Sequence, residues 1–193
     1  DIMADTARIF SKDSNTRNEL LKRLGCFENN FILATIHRAE NVDNPKRLSS
    51  ILSALASQKI PVLLPLHPRT RAKIEQFNLQ NLIGKIQIIE PLGYLDMVLL
   101  EKNASLIITD SGGIQKEAYF QGTPCVTIRE ETEWVELIDT GWNKLADPNN
   151  EDEMIDLISN QLNFELSKPR PNLYGDGYSS KTIILKLMSY FNL

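Results

Sequence analysis

One segment places a small polar turn directly after an apolar run and then opens a helix. Leu106–Thr109 is apolar and is followed by Asp110, Ser111, Gly112 and Gly113. Ser111 is a suitable helix N-cap, and two glycines let backbone N–H groups at the helix start approach an anion closely. Glu117 lies one to two turns into the same helix, where a carboxylate suits a ribose diol. We interpret the segment as a seat for a nucleotide diphosphate, with an ordinary strand–turn–helix junction as the alternative.

Histidines follow two of the other apolar runs. His37 and Arg38 come directly after 31–36, with Glu40 and Asn41 close behind. Cationic and hydrogen-bonding groups of this kind suit a pyrophosphate. A lone histidine is more often an ordinary surface or core residue, but this clustering favours a site. His67 follows the run 61–66 and precedes a proline that stiffens the turn.

Two further turns carry candidate binding groups. Leu92 and Gly93 precede Tyr94, and their backbone could frame a flat base, although packing of Tyr94 at a helix start is the simpler explanation. Arg129 follows the run 125–128 and opens an acidic segment that ends at Trp134.

Metal chemistry and serine-hydrolase chemistry do not fit these residues. The two histidines lie on different turns, and Cys26 and Cys125 fit no metal spacing. Ser111 is not in a G-x-S-x-G elbow. We therefore predict no metal and no cofactor.

The elements that must position these groups alternate between strands and helices. We predict strands at 31–36, 61–66, 86–89, 106–109, 125–128 and 144–146, and helices at 44–55, 69–77, 94–102, 114–120, 132–139 and 151–162. Nearly continuous apolar strands in such an alternation are typical of a parallel sheet covered on both faces. The pattern predicts an α/β, Rossmann-like, doubly wound domain whose ligands lie at the carboxyl ends of the strands.

Apolar helices are predicted at both ends of the chain. Residues 1–10 and 16–24 form a helical leader, and 179–191 forms a final helix with an apolar side. In an isolated Rossmann-like domain such helices would have little to cover, so we expect them to pack on another domain.

Composition restricts the partners. The 193 residues carry a formal net charge of −4 and a sequence pI near 5.3, which argues against nucleic-acid binding. No apolar run reaches the length of a membrane span, and no signal-peptide pattern is present. We expect a cytoplasmic protein, and the opening Asp1-Ile2-Met3-Ala4 looks like the inside of a longer polypeptide.

The His-Arg-x-Glu-Asn and Asp-Ser-Gly-Gly-x-Gln-x-Glu-Ala motifs resemble the carboxyl-terminal half of the non-hydrolysing UDP-N-acetylglucosamine 2-epimerases. The closing Tyr174-Gly175-Asp176-Gly177 motif and final helix match as well. The resemblance implies the second domain of a two-domain, GT-B-type enzyme. It divides this chain into an interdomain leader (1–28), a UDP-binding domain (29–166) and a crossing helix (167–193). It also implies a missing amino-terminal domain and a homodimer of complete chains.

By the same resemblance, the site residues take specific roles. Ser111, Gly112 and Gly113 would hold the diphosphate, Glu117 the ribose, and the Leu92-Gly93 backbone the uracil. His37 would be the catalytic group near the sugar phosphate, aided by Arg129. A second UDP-N-acetylglucosamine (UDP-GlcNAc) would act as an activator at Arg38, Glu40 and His67. The general acid and base would lie outside this chain.

One departure from the family pattern concerns the sugar. Many members have Thr-Glu-Arg-Pro-Glu where this chain has Thr132-Glu133-Trp134-Val135-Glu136, so Trp134 replaces an arginine. The tryptophan version is similar to a subgroup that includes epimerases of diacetamido-uronic acid nucleotides. The alternatives to a UDP-GlcNAc 2-epimerase are therefore such a uronate epimerase, the donor domain of a GT-B glycosyltransferase, or a non-catalytic UDP-sugar-binding module.

Overall fold

A six-stranded parallel sheet forms the centre of the computed structural model, which describes residues 1–10, 14–167 and 169–192. The strands are β1 Ile32–Thr35, β2 Val62–Pro65, β3 Gln87–Ile89, β4 Leu106–Thr109, β5 Cys125–Ile128 and β6 Asn143–Ala146. Their order is β3-β2-β1-β4-β5-β6. This is the Rossmann-like order, in which the connections reverse direction between β1 and β4. The predicted fold class is confirmed.

Helices connect the strands. They are α1 Ile2–Phe10, α2 Ser14–Arg23, α3 Ala39–Val42, α4 Pro45–Ala56, α5 Pro68–Gln76, α6 Tyr94–Asn103, α7 Gly112–Gln121, α8 Val135–Asp139, α9 Glu151–Leu162 and α10 Ser179–Phe191, with a 3-10 helix at Gln80–Lys85.

The central strands β1, β4 and β5 bury both of their faces because helices cover the two sides of the sheet. Alternate residues of one strand enter different cores: Ile32 packs with α4 and α9, whereas Leu33 packs with α2 and α6. The continuous apolar runs follow from this two-sided burial.

Local signals fix where two of the helices begin and end. Asn44 caps α4 by accepting from the N–H groups of Lys46 and Arg47 at 3.0 and 3.3 Å. Gly122 ends α7 in the left-handed region at φ +76°, where a side chain would be strained.

The two leader helices have different environments. Leu20 and Leu21 of α2 are buried against the same domain, so the expectation that the whole leader lacks cover here is wrong for α2. Its apolar stripe fills the groove beside α6. On α1, by contrast, Ala4 and Ala7 are buried while Ile9 and Phe10 remain exposed.

Helix α1 also holds the start of α10. The Asp5 carboxylate accepts from the backbone N–H groups of Ser179 and Ser180 at 2.9 and 2.7 Å. Arg8 donates to the Gly177 carbonyl at 2.9 Å and lies over the Tyr178 ring. Beyond this contact α10 is exposed along its length. None of the helices in the described ranges is long and apolar enough to cross a membrane.

Candidate functional site

The turn between β4 and α7 presents backbone donors at the carboxyl edge of the sheet. Ser111 is extended and its hydroxyl accepts from the N–H of Ile114 at 3.5 Å. Within the described ranges, the N–H groups of Gly112 and Gly113 have no acceptor. Unpaired N–H groups at a helix N-terminus, together with the helix dipole, favour an anion.

The two glycines of this turn have different surroundings. A β-carbon on Gly112 would overlap Oε1 of Glu133, the end of a half-exposed side chain that would have to rotate away. A β-carbon on Gly113 would lie 3.7 Å from Cε of Met3, which is an ordinary contact. Neither glycine has a positive φ. Only at Gly112, therefore, must a neighbouring side chain move to admit a β-carbon.

Buried Asp110 joins this turn to the turn after β1. Its carboxylate accepts from the backbone N–H groups of His37, at 3.1 Å to each oxygen, and of Arg38 at 2.9 Å. The Asn41 amide donates to the same carboxylate at 3.2 Å and to the Ile128 carbonyl at 3.1 Å. Charge-assisted bonds of this kind lock the ends of β1, β4 and β5 together at the switch point of the sheet.

His37 is held on one side and open on the other. Its Nδ1 lies 3.4 Å from Oδ1 of Asp110, and its side chain is 47% exposed. The imidazole thus directs Nδ1 toward the carboxylate and leaves the rest of the ring accessible to a ligand. The structure brings His37 and the Ser111-Gly112-Gly113 turn to one place, as the sequence predicts.

The three candidate activator residues are less connected. Arg38 and Glu40 form an ion pair with 3.2 Å between Nη1 and Oε1. His67 caps α5, with Nδ1 accepting from the N–H of Arg69 at 3.2 Å. In the part of the chain that the structure describes, no hydrogen bond links His67 to Arg38 or Glu40.

The segment 129–134 is a loop, and the helix predicted from 132 begins only at Val135. Thr132 and Trp134 are held by other parts of the fold, because the Thr132 hydroxyl donates to Gln115 and the Trp134 indole N–H donates to the Gly112 carbonyl at 2.9 Å. Trp134 therefore faces the protein. Lys116 lies over its ring, with Nζ 4.2 Å from the ring centre.

Fully buried Gln115 ties this loop to the Ser111-Gly112-Gly113 turn. Its amide oxygen accepts from Thr132 at 2.7 Å and from Asn143 at 3.2 Å. Its amide nitrogen donates to the Ser111 carbonyl at 3.3 Å. Both ends of the side chain are used, so Gln115 fixes the loop relative to the turn.

Arg129 and Glu133 form an ion pair beside the turn, with 2.7 Å between Nη1 and Oε2. The Arg129 side chain is 9% exposed and the Glu133 side chain is 45% exposed. The cation that the sequence assigns to this edge is thus paired with Glu133, the carboxylate that adjoins Gly112.

Two buried carboxyl groups lie on α6 and α7. Burial raises the pKa of Glu117, and a hydrogen bond from the Tyr94 hydroxyl partly opposes this shift. Glu101 is 1% exposed, and its Oε2 has no partner among the described residues. Burial, and then the charge of Glu117, raise the pKa of Glu101 well above its ordinary value.

Leu92 lies in the loop after β3, on the same edge of the sheet and partly buried against the α2 and α6 core. No hydrogen bond in the described residues joins it to the other candidate groups. The described residues also contain no group of three His, Cys, Asp or Glu side chains that could hold a metal ion.

Sequence reasoning missed the linking residues. Asp110 and Gln115 were part of the recognised motif, but no role was assigned to either. The available signal was a carboxylate directly after a buried strand and an amide on the inner side of α7. Polar side chains in such positions require partners, and those partners come from distant segments.

Comparison with known proteins identifies related chains. The sequence profile of the UDP-N-acetylglucosamine 2-epimerase family matches residues 1–188. A UDP-2,3-diacetamido-2,3-dideoxy-D-glucuronate 2-epimerase of Pseudomonas aeruginosa is 44% identical, over 95% of this chain and 50% of the relative. A UDP-N-acetylglucosamine 2-epimerase of Methanococcus maripaludis is 43% identical, over 80% of this chain and 43% of the relative.

A solved structure supports the same grouping. The Methanocaldococcus jannaschii UDP-GlcNAc 2-epimerase in complex with UDP-GlcNAc and UDP superposes with a TM-score of 0.82 at 34% identity. The match covers 98% of this chain and 53% of that chain. This chain spans about half the length of the relatives it matches.

Proposed function

The chain belongs to the UDP-N-acetylglucosamine 2-epimerase family, and we propose that it is the nucleotide-binding half of an enzyme that interconverts UDP-GlcNAc and UDP-N-acetylmannosamine. One observation carries the proposal. At the switch point of the sheet, Asp110 holds the His37-Arg38 turn beside the unpaired N–H groups of Gly112 and Gly113. In doubly wound folds, ligands bind at this position.

Each site residue has a proposed role. The Ser111-Gly112-Gly113 turn binds the diphosphate, and Glu117 accepts from the ribose hydroxyls. His37 and Arg129 contact the phosphate next to the sugar, and the backbone at Leu92 contacts the uracil. Burial of Glu117 supports its role, because a carboxylate with little water around it gains most from a matched pair of hydroxyl donors.

The proposed chemistry is elimination followed by re-addition. A base removes the C2 proton of the sugar while the C1–O bond breaks. The electron pair of the C1–O bond leaves with UDP, and a C1–C2 double bond forms. UDP then adds back to the 2-acetamidoglucal after protonation on the opposite face. The residues of this chain stabilise the charge that develops on the departing pyrophosphate, a contribution of about 2.7–4 kcal/mol per donor in comparable sites.

The rest of the enzyme would supply the proton transfers. We propose that the general acid and base belong to an amino-terminal domain that packs against the exposed apolar side of α10. Residues such as Ile184 and Leu187 support this assignment because they are exposed and apolar. A homodimer of complete chains and a cytoplasmic location are part of the same proposal. The two buried free cysteines agree with a reducing compartment.

A uronate substrate is the second candidate, because the relative from Pseudomonas aeruginosa that is 44% identical has that substrate in its name. Trp134 does not decide between the two sugars, since its indole N–H is already bonded to Gly112. Steady-state comparison of UDP-GlcNAc with UDP-2,3-diacetamidoglucuronate, using the complete polypeptide, separates the candidates. Consumption of a glycosyl acceptor would instead indicate a glycosyltransferase.

Calorimetry and exchange in heavy water test the proposal together. We expect this chain to bind UDP but to introduce no deuterium at C2 of UDP-GlcNAc, whereas the complete enzyme exchanges readily. His37→Ala in the complete enzyme should lower kcat more than it weakens binding, because the group acts on the departing phosphate. Absence of UDP binding, or exchange by this chain alone, would contradict the two-domain assignment.

A further inference from the structure

Glu133 lies against the anion seat from the side of the 129–134 loop. Its Oε1 lies too close to the Gly112 backbone to leave room for a β-carbon there, and its Oε2 accepts from Arg129 at 2.7 Å. The carboxylate therefore contacts both groups that the proposed function assigns to the diphosphate, the glycine turn and the guanidinium.

This carboxylate is charged at neutral pH. Its own backbone N–H holds the pKa of Glu133 below the ordinary value, and Arg129 and Arg38 contribute in the same direction against the effect of burial. A diphosphate bound at the N–H groups of Gly112 and Gly113 would thus lie within a few ångströms of a like charge. Such an arrangement opposes binding.

The two members of the ion pair differ in their freedom to move. Arg129 is 9% exposed and is fixed among the ends of the strands, whereas Glu133 is 45% exposed on a loop. Rotation of Glu133 into solvent requires only the loss of a half-exposed pair. Rotation of Arg129 would leave a buried cation without its carboxylate.

We propose that Glu133 is a displaceable occupant of the diphosphate site. While the site is empty, Glu133 positions the Arg129 guanidinium. When a nucleotide diphosphate binds, Glu133 moves away and Arg129 pairs with the phosphate instead. The inference rests on the proposed function, because it takes the glycine turn as the phosphate site. Glu133 is a positioning residue and not a catalytic one. Its carboxylate sets the affinity of the seat by competing for the same partners.

Glu133→Gln removes the charge and keeps the shape. Affinity for both inorganic pyrophosphate and UDP should increase about threefold to tenfold, which corresponds to one screened like-charge contact. If Glu133 merely held Arg129 in place, the same substitution would weaken binding, so the sign of the change distinguishes the two roles. Glu131→Gln is the matched control, because Glu131 is exposed on the same loop and its substitution removes the same charge.

Calorimetric titration of the parent chain and both variants with each ligand decides the matter. Tighter binding of both ligands by Glu133→Gln, without such a change in Glu131→Gln, supports the inference. Unchanged or weaker pyrophosphate binding overturns it, and so does an equal gain in the control. Glu133→Ala repeats the comparison without the amide group.

Failure of the proposed function gives a different result. A parent chain that binds pyrophosphate but not UDP would contradict the nucleotide assignment, while the pyrophosphate comparison would still test Glu133. Binding of neither ligand by the parent or the variants would overturn both.

Discussion

At the scale of single residues, Asp110 shows why the site could be predicted only in part. The motif that contains Asp110 predicts a phosphate site, and His37 is predicted to bind the same ligand. The Asp110 carboxylate accepts from the backbone N–H groups of His37 and Arg38. These bonds depend on the pairing of β1 with β4. Residues this far apart in the chain become neighbours only through strand order, which local sequence patterns do not encode.

Two substitutions of Gly113 distinguish the effect of an added side chain from the effect of an added negative charge. Since a β-carbon there makes only an ordinary contact with Met3, Gly113→Ala should fold and bind UDP within about threefold of the parent. Gly113→Asp places a carboxylate at the helix N-terminus and should abolish measurable binding. Calorimetry with UDP checks both variants, and normal binding by Gly113→Asp would locate the seat elsewhere.

Tyr94 should tune the pH dependence of nucleotide binding. In the proposed function the ionised form of Glu117 accepts from both ribose hydroxyls, so UDP affinity should rise with pH through the raised pKa of Glu117. The Tyr94 hydroxyl lowers that pKa, and Tyr94→Phe should therefore move the midpoint to higher pH. Tyr190→Phe, on a side chain that is 80% exposed, is the control.

The measurement is UDP binding at a series of pH values from about 4 to 8, a range that covers ordinary and raised carboxyl pKa values. Comparing the two variants at each pH cancels the titration of UDP itself. Identical midpoints for Tyr94→Phe and the parent would argue against Glu117 as the ribose acceptor.

At the scale of elements, the sequence predicts boundaries well where an apolar pattern has turn or capping residues at both ends. The bounds predicted for β4, β5, α9 and α10 agree with the structure. The helix predicted from 132 is wrong in its first turn, because Gln115 holds Thr132 and the Gly112 carbonyl holds Trp134. Tertiary hydrogen bonds outweigh a weak local helix preference there.

The contact between α1 and α10 should depend on pH through Asp5. Its pKa is lowered to about 2, chiefly by bonds from the Ser180 hydroxyl and N–H. A lowered pKa means that the stabilisation is complete above the ordinary value of 3.8 and is lost as the pH falls through about 2.

Hydrogen exchange across this range tests the contact. Protection of the α10 amides, relative to those of β4, should fall between pH 4 and pH 2, about the interval between the two pKa values. Asp5→Asn should show low protection at both ends of the range. Equal protection of α10 at both pH values in the parent would contradict the capping role.

At the scale of the whole molecule, the exposed side of α10 should make the chain self-associate. The exposed apolar side chains are Ile183, Ile184, Leu185, Leu187, Met188, Tyr190 and Phe191. Burying one Leu or Ile contributes about 1.5–3 kcal/mol, so the apolar side chains of two copies together outweigh the about 4–15 kcal/mol lost on association. Sedimentation velocity should show concentration-dependent association.

Ile184→Glu combined with Leu187→Glu should leave a monomer, because charges would enter the contact. Lys181→Glu, on the same exposed helix, is the control and should still associate. A parent chain that stays monomeric at every concentration would show that this apolar surface does not drive self-association.

The clamp between α1 and α10 also has a mechanical meaning. Asp5 and Arg8 fasten α10 to α1, and the other end of α1 contacts the seat, through Met3 beside Gly113 and the ion pair of Asp1 with Lys116. A rotation of α10 cannot leave α1 in place without breaking these bonds. The two helices therefore form one connected unit that runs from the exposed α10 to the Ser111-Gly112-Gly113 turn.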